Sequence, residues 1–211
     1  MSENPSIAIV DYGMGNIGSV ANMLKRVGAP SVFVSTPEDV LQARKIILPG
    51  VGAFDQGMSN LESLGLIEPL REQARRGTPL LGICLGMQLL ALSSEEGRLP
   101  GLGIVDAHVR RLPASDAQGR QIRVPHMGWN IVKVVKPTRL LPSDVEHRFY
   151  FVHSYYFDES DPDCALLKAH YGIDFTAGIE RGNLIGVQFH PEKSHKFGMR
   201  LLSAFAGWPS C

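Results

Sequence analysis

The sequence predicts a three-layer α/β fold: a mostly parallel central sheet, helices on both faces, and an antiparallel extension of strands from the C-terminal half. Three observations carry this. Short, wholly apolar runs alternate with stretches of helical spacing between residues 7 and 92, the pattern of βαβ units. Beyond residue 105, strand-like runs follow one another with little helical pattern between them. The chain has 211 residues, 44% hydrophobic and 20% charged, which suits one compact domain over 1–211 at about 150 residues per domain.

Ile7–Val10 is apolar throughout, as a strand buried on both faces must be. Ile17, Val20, Met23, Leu24 and Val27 then recur at helical spacing, and Gly28 stops that helix. Residues 32–34 and 46–48 repeat the strand signal. Met58, Leu61, Leu64 and Ile67 follow at every third position, and Leu70, Arg71 and Ala74 carry a second helical stretch to Gly77. Residues 79–83 read as another buried strand and 85–92 as another helix. In the second half 105–112, 131–135, 149–153, Ala165–Tyr171 and 184–189 read as strands. Polar turns lie at 114–120 and 159–163, and an amphipathic helix over 196–205 closes the chain. Internal repeats, low-complexity tracts and domain linkers are absent from the sequence.

Charge and cysteine content remove several classes of function. Lys plus Arg and Asp plus Glu both number 21, so the basic excess that drives counterion release from nucleic acid is missing. Cys84, Cys164 and Cys211 have no CxxC spacing, and His108, His126, His147, His153, His170 and His195 show no metal-ligand spacing, so zinc is not expected. Those histidines read as structural or surface residues. Residues 1–5 lack the basic and apolar regions of a signal peptide, and no apolar run nears the roughly 18 residues of a membrane helix. The expected location is cytoplasmic.

Gly13-x-Gly15-x-x-Gly18 matches a dinucleotide fingerprint in outline, but no acidic residue closes the following strand, where Val34-Ser35-Thr36-Pro37 stands. A glycine turn that lets Asn16 and nearby backbone face another molecule or loop accounts for it, and no cofactor is expected. The sharper signal is Gly82-Ile83-Cys84-Leu85-Gly86, where a buried strand runs straight into a helix with cysteine at the turn. Glycine on each side leaves room for the strand and helix to approach around a strained nucleophile, and the helix N-terminus favours thiolate. A core cysteine is the bland alternative. His190-Pro191-Glu192 ends another apolar strand, with His190 and Glu192 two apart on an extended link, so the carboxylate faces one imidazole nitrogen while the other faces the sulfur. Pro49-Gly50-Val51-Gly52-Ala53-Phe54 follows a strand with two glycines. They allow a backbone N–H to turn towards developing negative charge, with the N–H of Leu85 as second donor.

GICLGMQ, LPGVGAF and GVQFHPEKS, in this order, resemble the class I glutamine amidotransferases, whose fold is flavodoxin-like. Asp11–Asn16 (DYGMGN), PHMGWN at 125–130 and YFVHSY at 150–155 narrow the likeness to the glutaminase subunits of imidazole glycerol phosphate synthases, over residues 7 to about 205. The resemblance implies that Cys84 attacks the side-chain amide of L-glutamine, that His190 moves the proton, and that Glu192 orients His190. It implies that Val51 and Gly52 complete an oxyanion hole, that Gln88 and Glu96 lie beside the substrate, and that backbone around Ser154 and Tyr155 holds its amino-acid end. It further implies a heterodimer with the synthase's cyclase subunit, in histidine biosynthesis, with Asn16, Met127, Trp129, Tyr150 and Lys193 at the shared face. Ammonia is mostly protonated in neutral water, so channelling it to the partner keeps it nucleophilic. For Trp129 a core position is the alternative. Two competing readings stand beside this one: a glutaminase serving another synthase, such as one aminating a sugar, and a non-catalytic flavodoxin-like binding module.

Overall fold

The computed structural model describes residues 7–209; the segment 1–5 and Cys211 lie outside them. Strand β1 (Ile7–Val10) leads into helix α1 (Ile17–Arg26), capped by Asn16, whose side chain accepts from the Ser19 N–H at 3.2 Å. Strand β2 (Ser31–Val34) returns to Thr36, which caps α2 (Pro37–Gln42), with proline at the first helical position. Strand β3 (Ile46–Gly50) follows, then α3 (Phe54–Ser63) and α4 (Ile67–Arg75), separated at Gly65. Strand β4 (Leu80–Cys84) runs without a break into α5 (Leu85–Gln88).

The second half opens with the short β5 (Ser93–Ser94) and β6 (Ala107–Arg111). Next come β7 (His126–Val134), β8 (His147–His153), β9 (Tyr155–Glu159), β10 (Ala165–Tyr171), β11 (Ile173–Arg181) and β12 (Leu184–Val187). A 3₁₀ turn at Pro191–Lys193 precedes the final helix α6 (His195–Ala206).

One sheet runs in the order β2-β1-β3-β4-β12-β11-β10-β7-β8. Its members from β2 to β12 pair in parallel, and from β12 onward they pair antiparallel. At β11 the sheet forks. Gly178–Arg181 pair with β12, while Thr176 pairs with Phe157 of β9, which carries β6 and β5.

Alternation along the parallel strands supplies two cores. Ile7, Ile9, Ile47, Leu81, Ile83, Ile185 and Val187 face α1 and α6. Ala8, Val10, Ile46, Leu48 and Leu80 face α2, α3, α4 and α5. Helix α6 alone fully buries Leu201, Leu202 and Phe205, each worth about 1.5–3 kcal/mol of transfer free energy. Its C-terminal end rests on Lys45, whose buried Nζ donates to the carbonyls of Ala206 (2.5 Å) and Trp208 (2.8 Å).

Several elements depart from the sequence expectation. The helix expected over 85–92 is a single turn. Segment 101–105 crosses its end and takes the carbonyls that further turns would need: Leu102 N–H donates to Leu89, Gly103 to Ala91, and Ile104 and Val105 to Leu90. Strands β9 and β11 and the short helix α2 were not expected at all. Cys84 and Cys164 are free and buried. Among the described residues no helix is long and apolar enough to cross a membrane, and no cluster of His, Cys, Asp and Glu is placed to hold a metal.

Candidate active site

Cys84 is the last residue of β4 and the first before α5, and it holds φ at +53°, a left-handed conformation that costs a non-glycine residue about 1–3 kcal/mol. The surrounding structure forces it. A Cβ built on Gly86 would lie 1.8 Å from the Leu48 carbonyl oxygen, and one on Gly82 would lie 2.8 Å from the backbone of Gly86 and Met87. Only glycine lets β3, β4 and α5 approach this closely, so the turn cannot relax into an ordinary helix start.

The neighbouring strand supplies the base. Strands β4 and β12 pair with Val187 opposite Ile83, so Gln188 stands level with Cys84 and His190 two residues beyond it on the same side. The His190 backbone is fixed from several directions. Its N–H donates to Tyr150 at 2.9 Å, and its carbonyl accepts from the Ser194 hydroxyl at 2.6 Å and the Lys193 N–H at 3.1 Å. Glu192 reaches back from the 3₁₀ turn, Oε1 lying 2.7 Å from His190 Nδ1. The link is therefore a tight turn begun by Pro191, not the extended segment that alternation suggested; proline at its first position sets the φ that the turn requires.

The pair is sealed, with side-chain exposures of 1% for His190 and 2% for Glu192. Burial works against a charged imidazole. Cys84 and Glu192 outweigh it, and His190 is pushed up to about 9. His190 Nε2 and Glu192 Oε2 have no hydrogen-bond partner, so the free imidazole nitrogen is left to the reacting groups.

A cavity of about 260 Å³ opens over the sulfur, lined by Val51, Gly52, Cys84, Leu85, Gln88, Glu96, Pro125, Val152, His153, Ser154, Tyr155 and His190. Gly52 holds φ at +124°, and a Cβ there would strike Met14 Cε at 2.7 Å, so the loop 11–16 lies directly against it. Tyr12 donates to the Pro49 carbonyl at 2.7 Å, tying the same two loops together. The N–H of Leu85 opens α5 behind the sulfur. Glu96 accepts from the Phe54 N–H at 3.0 Å; burial raises its pKa, with that hydrogen bond opposing. Asp55 holds the Glu96 loop in place by accepting from the N–H groups of Arg98 and Leu99 at 2.9 and 3.0 Å.

The GVQFHPEKS segment contains Gln188, for which its local sequence suggests no role. It is fully buried, donates to Cys84 Sγ at 3.7 Å and accepts from Gln88 Nε2 at 3.0 Å. Gln88 also donates to the Tyr155 carbonyl at 3.1 Å. An even register with Cys84 on the adjacent strand was the available signal, but only the strand order exposes it.

The residues singled out for a partner face lie at the same end of the sheet. Met127 and Trp129 project from one face of β7 and are 61% and 48% exposed, so Trp129 is a surface residue and not part of the core. Tyr150 is paired across from Trp129, the two rings edge to face at 6.4 Å, and Lys193 Nζ lies 6.0 Å from the Tyr150 ring. Trp129 also stacks on His195 at 5.8 Å. Ile131 extends the apolar stripe and was not foreseen. Asn16 stands apart on the exposed start of α1, which packs against the Pro191–Lys193 turn.

A family model described as glutamine amidotransferase class-I matches residues 8–206. The chain is 51% identical over 201 residues to the imidazole glycerol phosphate synthase subunit HisH 2 of Pseudomonas aeruginosa, covering 94% of this chain and 98% of the relative. It is 50% identical, with the same coverage, to the subunit of that name in Methanococcus maripaludis. Identity to the subunit HisH of Bdellovibrio bacteriovorus is 48%, over 95% of this chain and 98% of the relative. Among solved structures it is similar to PurLQS from Thermotoga maritima (TM-score 0.74, 18% identity, 96% of this chain and 98% of that one). A glutamine amidotransferase gives a TM-score of 0.71 at 22% identity, covering 95% of this chain and 99% of that one. At such identities these structures speak for the fold alone.

Proposed function

The chain belongs to the class-I glutamine amidotransferase family, and from that premise we propose that it is the glutaminase subunit of an imidazole glycerol phosphate synthase. It hydrolyses L-glutamine to glutamate and ammonia and passes the ammonia to the synthase's cyclase subunit, in histidine biosynthesis. The observation that carries the reading is a shared opening: the Cys84 sulfur and His190, with the buried Glu192 paired to that imidazole, meet at one small cavity.

Sulfur adds to the carboxamide carbon, and the carbonyl oxygen becomes an oxyanion. The N–H of Leu85 and a backbone N–H of the Val51–Gly52 loop stabilise that charge. His190 carries the proton taken from the thiol to the departing nitrogen, so ammonia leaves and a glutamyl thioester remains. Water, giving its proton to His190, then attacks the thioester carbon; glutamate leaves and the thiol is restored. Glu192 holds the imidazole in register and favours its charged form throughout. Gln88, Glu96 and the Ser154–Tyr155 backbone hold the amino-acid end of the substrate.

The exposed Met127, Trp129 and Lys193 and the half-buried Tyr150, with Asn16, form the face that receives the cyclase; aromatic and Met side chains are enriched at such interfaces. Residues 1–211 act as one amidotransferase domain, in the cytoplasm. The test is glutamate release by the chain mixed with its cyclase. Wild type should turn over slowly alone and faster with the loaded partner, and a glutamine-like electrophile should label Cys84 one to one. Glutamate release retained by Cys84→Ala would overturn the mechanism.

A further inference from the structure

Beside the Ser154–Tyr155 wall of the cavity lie two buried histidines to which the mechanism gives no part, His153 in the lining itself and His126 behind it. His126 Nδ1 and His153 Nε2 are 2.9 Å apart. His153 Nδ1 lies 2.8 Å from the Tyr155 carbonyl oxygen, and His126 Nε2 lies 3.3 Å from Asn130 Nδ2.

The direction of every bond in this row is set by its ends. At one end, the Tyr155 oxygen can only accept, so His153 Nδ1 carries a hydrogen. At the other, the His170 carbonyl accepts from Asn130 Nδ2 at 2.9 Å, and the Ile131 N–H donates to Asn130 Oδ1 at 2.8 Å. These two contacts fix which way the amide points, and its second N–H faces His126 Nε2. That nitrogen must therefore be bare, the hydrogen of His126 sits on Nδ1, and it meets a bare Nε2 on His153. One proton on each ring satisfies all three bonds. A second proton on either ring would set two donors face to face. Burial lowers both rings, His126 to about 4 and His153 to about 3, in keeping with neutral imidazoles.

We propose that His126 and His153 are positioning residues for glutamine, a pair of neutral imidazoles in the Nδ1–H tautomer that hold the Tyr155 carbonyl, and so the substrate wall, in place. The Tyr155 carbonyl also accepts from Gln88, so the row ends on a group bonded to a side chain of the cavity itself. Its far end, Asn130, stands on β7 between the exposed Trp129 and Ile131. The inference rests on the glutaminase reading for its kinetic half only.

The test has two arms on the full chain. Nitrogen-15 NMR of the histidine rings in wild type should show both residues neutral and protonated at Nδ1 from pH 6 to 8. An Nε2–H tautomer, or titration of either ring in that range, overturns the proposal. In steady-state glutamine hydrolysis with the cyclase present, His126→Phe keeps a ring to stack on Phe151 and Tyr171 and removes the two bonds that orient His153 towards Tyr155. It should raise KM by about tenfold, the scale of one lost buried hydrogen bond, with kcat within about twofold. His153→Asn, which can still donate to Tyr155, should keep KM closer to wild type than His153→Phe. A His126→Phe variant with unchanged KM and unchanged His153 tautomer would refute the positioning role. If wild type itself released no glutamate, the glutaminase reading would fall, while the NMR arm would still decide the protonation of the pair.

Discussion

Changing Glu192 to glutamine keeps the side chain's size and removes its charge, and the structure allows the consequence to be worked out. In wild type the carboxylate sits 2.7 Å from His190 Nδ1, with both side chains almost wholly excluded from solvent. Burial pulls the imidazole down, and Cys84 and Glu192 together lift it from 6.5 to about 9. That rise corresponds to about 3 kcal/mol of preference for the protonated ring in the folded state. Because the folded value lies above the unfolded one, this stability is fully present below about pH 6.5 and is lost as pH climbs through 9. In Glu192→Gln one of the two lifting groups is gone, and burial then counts for more. His190 should titrate at least one unit lower, stability should decline less between pH 6.5 and 9, and kcat should fall by at least tenfold. Urea midpoints at pH 6, 7.5 and 9, with NMR titration of His190, measure all but the last. An identical titration and an identical loss of stability in both proteins would refute the electrostatic account of the pair.

Other perturbations follow from the same structure. Gly86→Ala places a methyl where only 1.8 Å separates it from the Leu48 carbonyl, so β3 and α5 must part; a loss above about 4 kcal/mol, or failure to fold, is expected in urea titration. Lys45→Met leaves the Ala206 and Trp208 carbonyls without their buried donor and should cost about 2–4 kcal/mol, read the same way; a cost below about 0.5 would contradict that role. His126 faces Asn130, Phe151 and Tyr171, and His153 faces His126, Phe175 and the charged His190. Both are held below 6.5, so the unfolded chain takes up protons that the folded one refuses. Stability should therefore drop as pH falls from 6.5 towards 4, and His126→Phe should flatten that drop; equal slopes in the two proteins would speak against it.

The parallel half of the fold is legible in sequence because its strands are buried on both faces, so Ile7–Val10, Ile46–Gly50 and Leu80–Cys84 stand out as apolar runs. Strand β11 is not. Its buried centre is Thr176, Ala177 and Gly178, residues too small or polar to signal a strand, and they are buried because the sheet forks around them. Gly178 itself leaves room for Leu167, whose Cδ1 would lie 2.9 Å from a Cβ there. The end of α5 is likewise tertiary, set by a segment more than ten residues away. In the site, Cys84, His190 and Glu192 could be picked out because each sits in a short local pattern. Gln188 and His153 acquire their contacts only from strand order and register, which no local pattern encodes.

The brevity of α5 has a bearing on how solution conditions reach the site. With four residues, few peptide dipoles stand behind the sulfur, and the ionic character there comes chiefly from the His190–Glu192 couple. Mobile ions act over about 8 Å at physiological strength on charges they can surround, and they cannot surround a couple shut inside the chain. Added salt should thus leave the thiol chemistry of the isolated chain nearly untouched. It should weaken whatever Lys193 contributes at the exposed face, so that ionic strength pulls apart docking and bond cleavage.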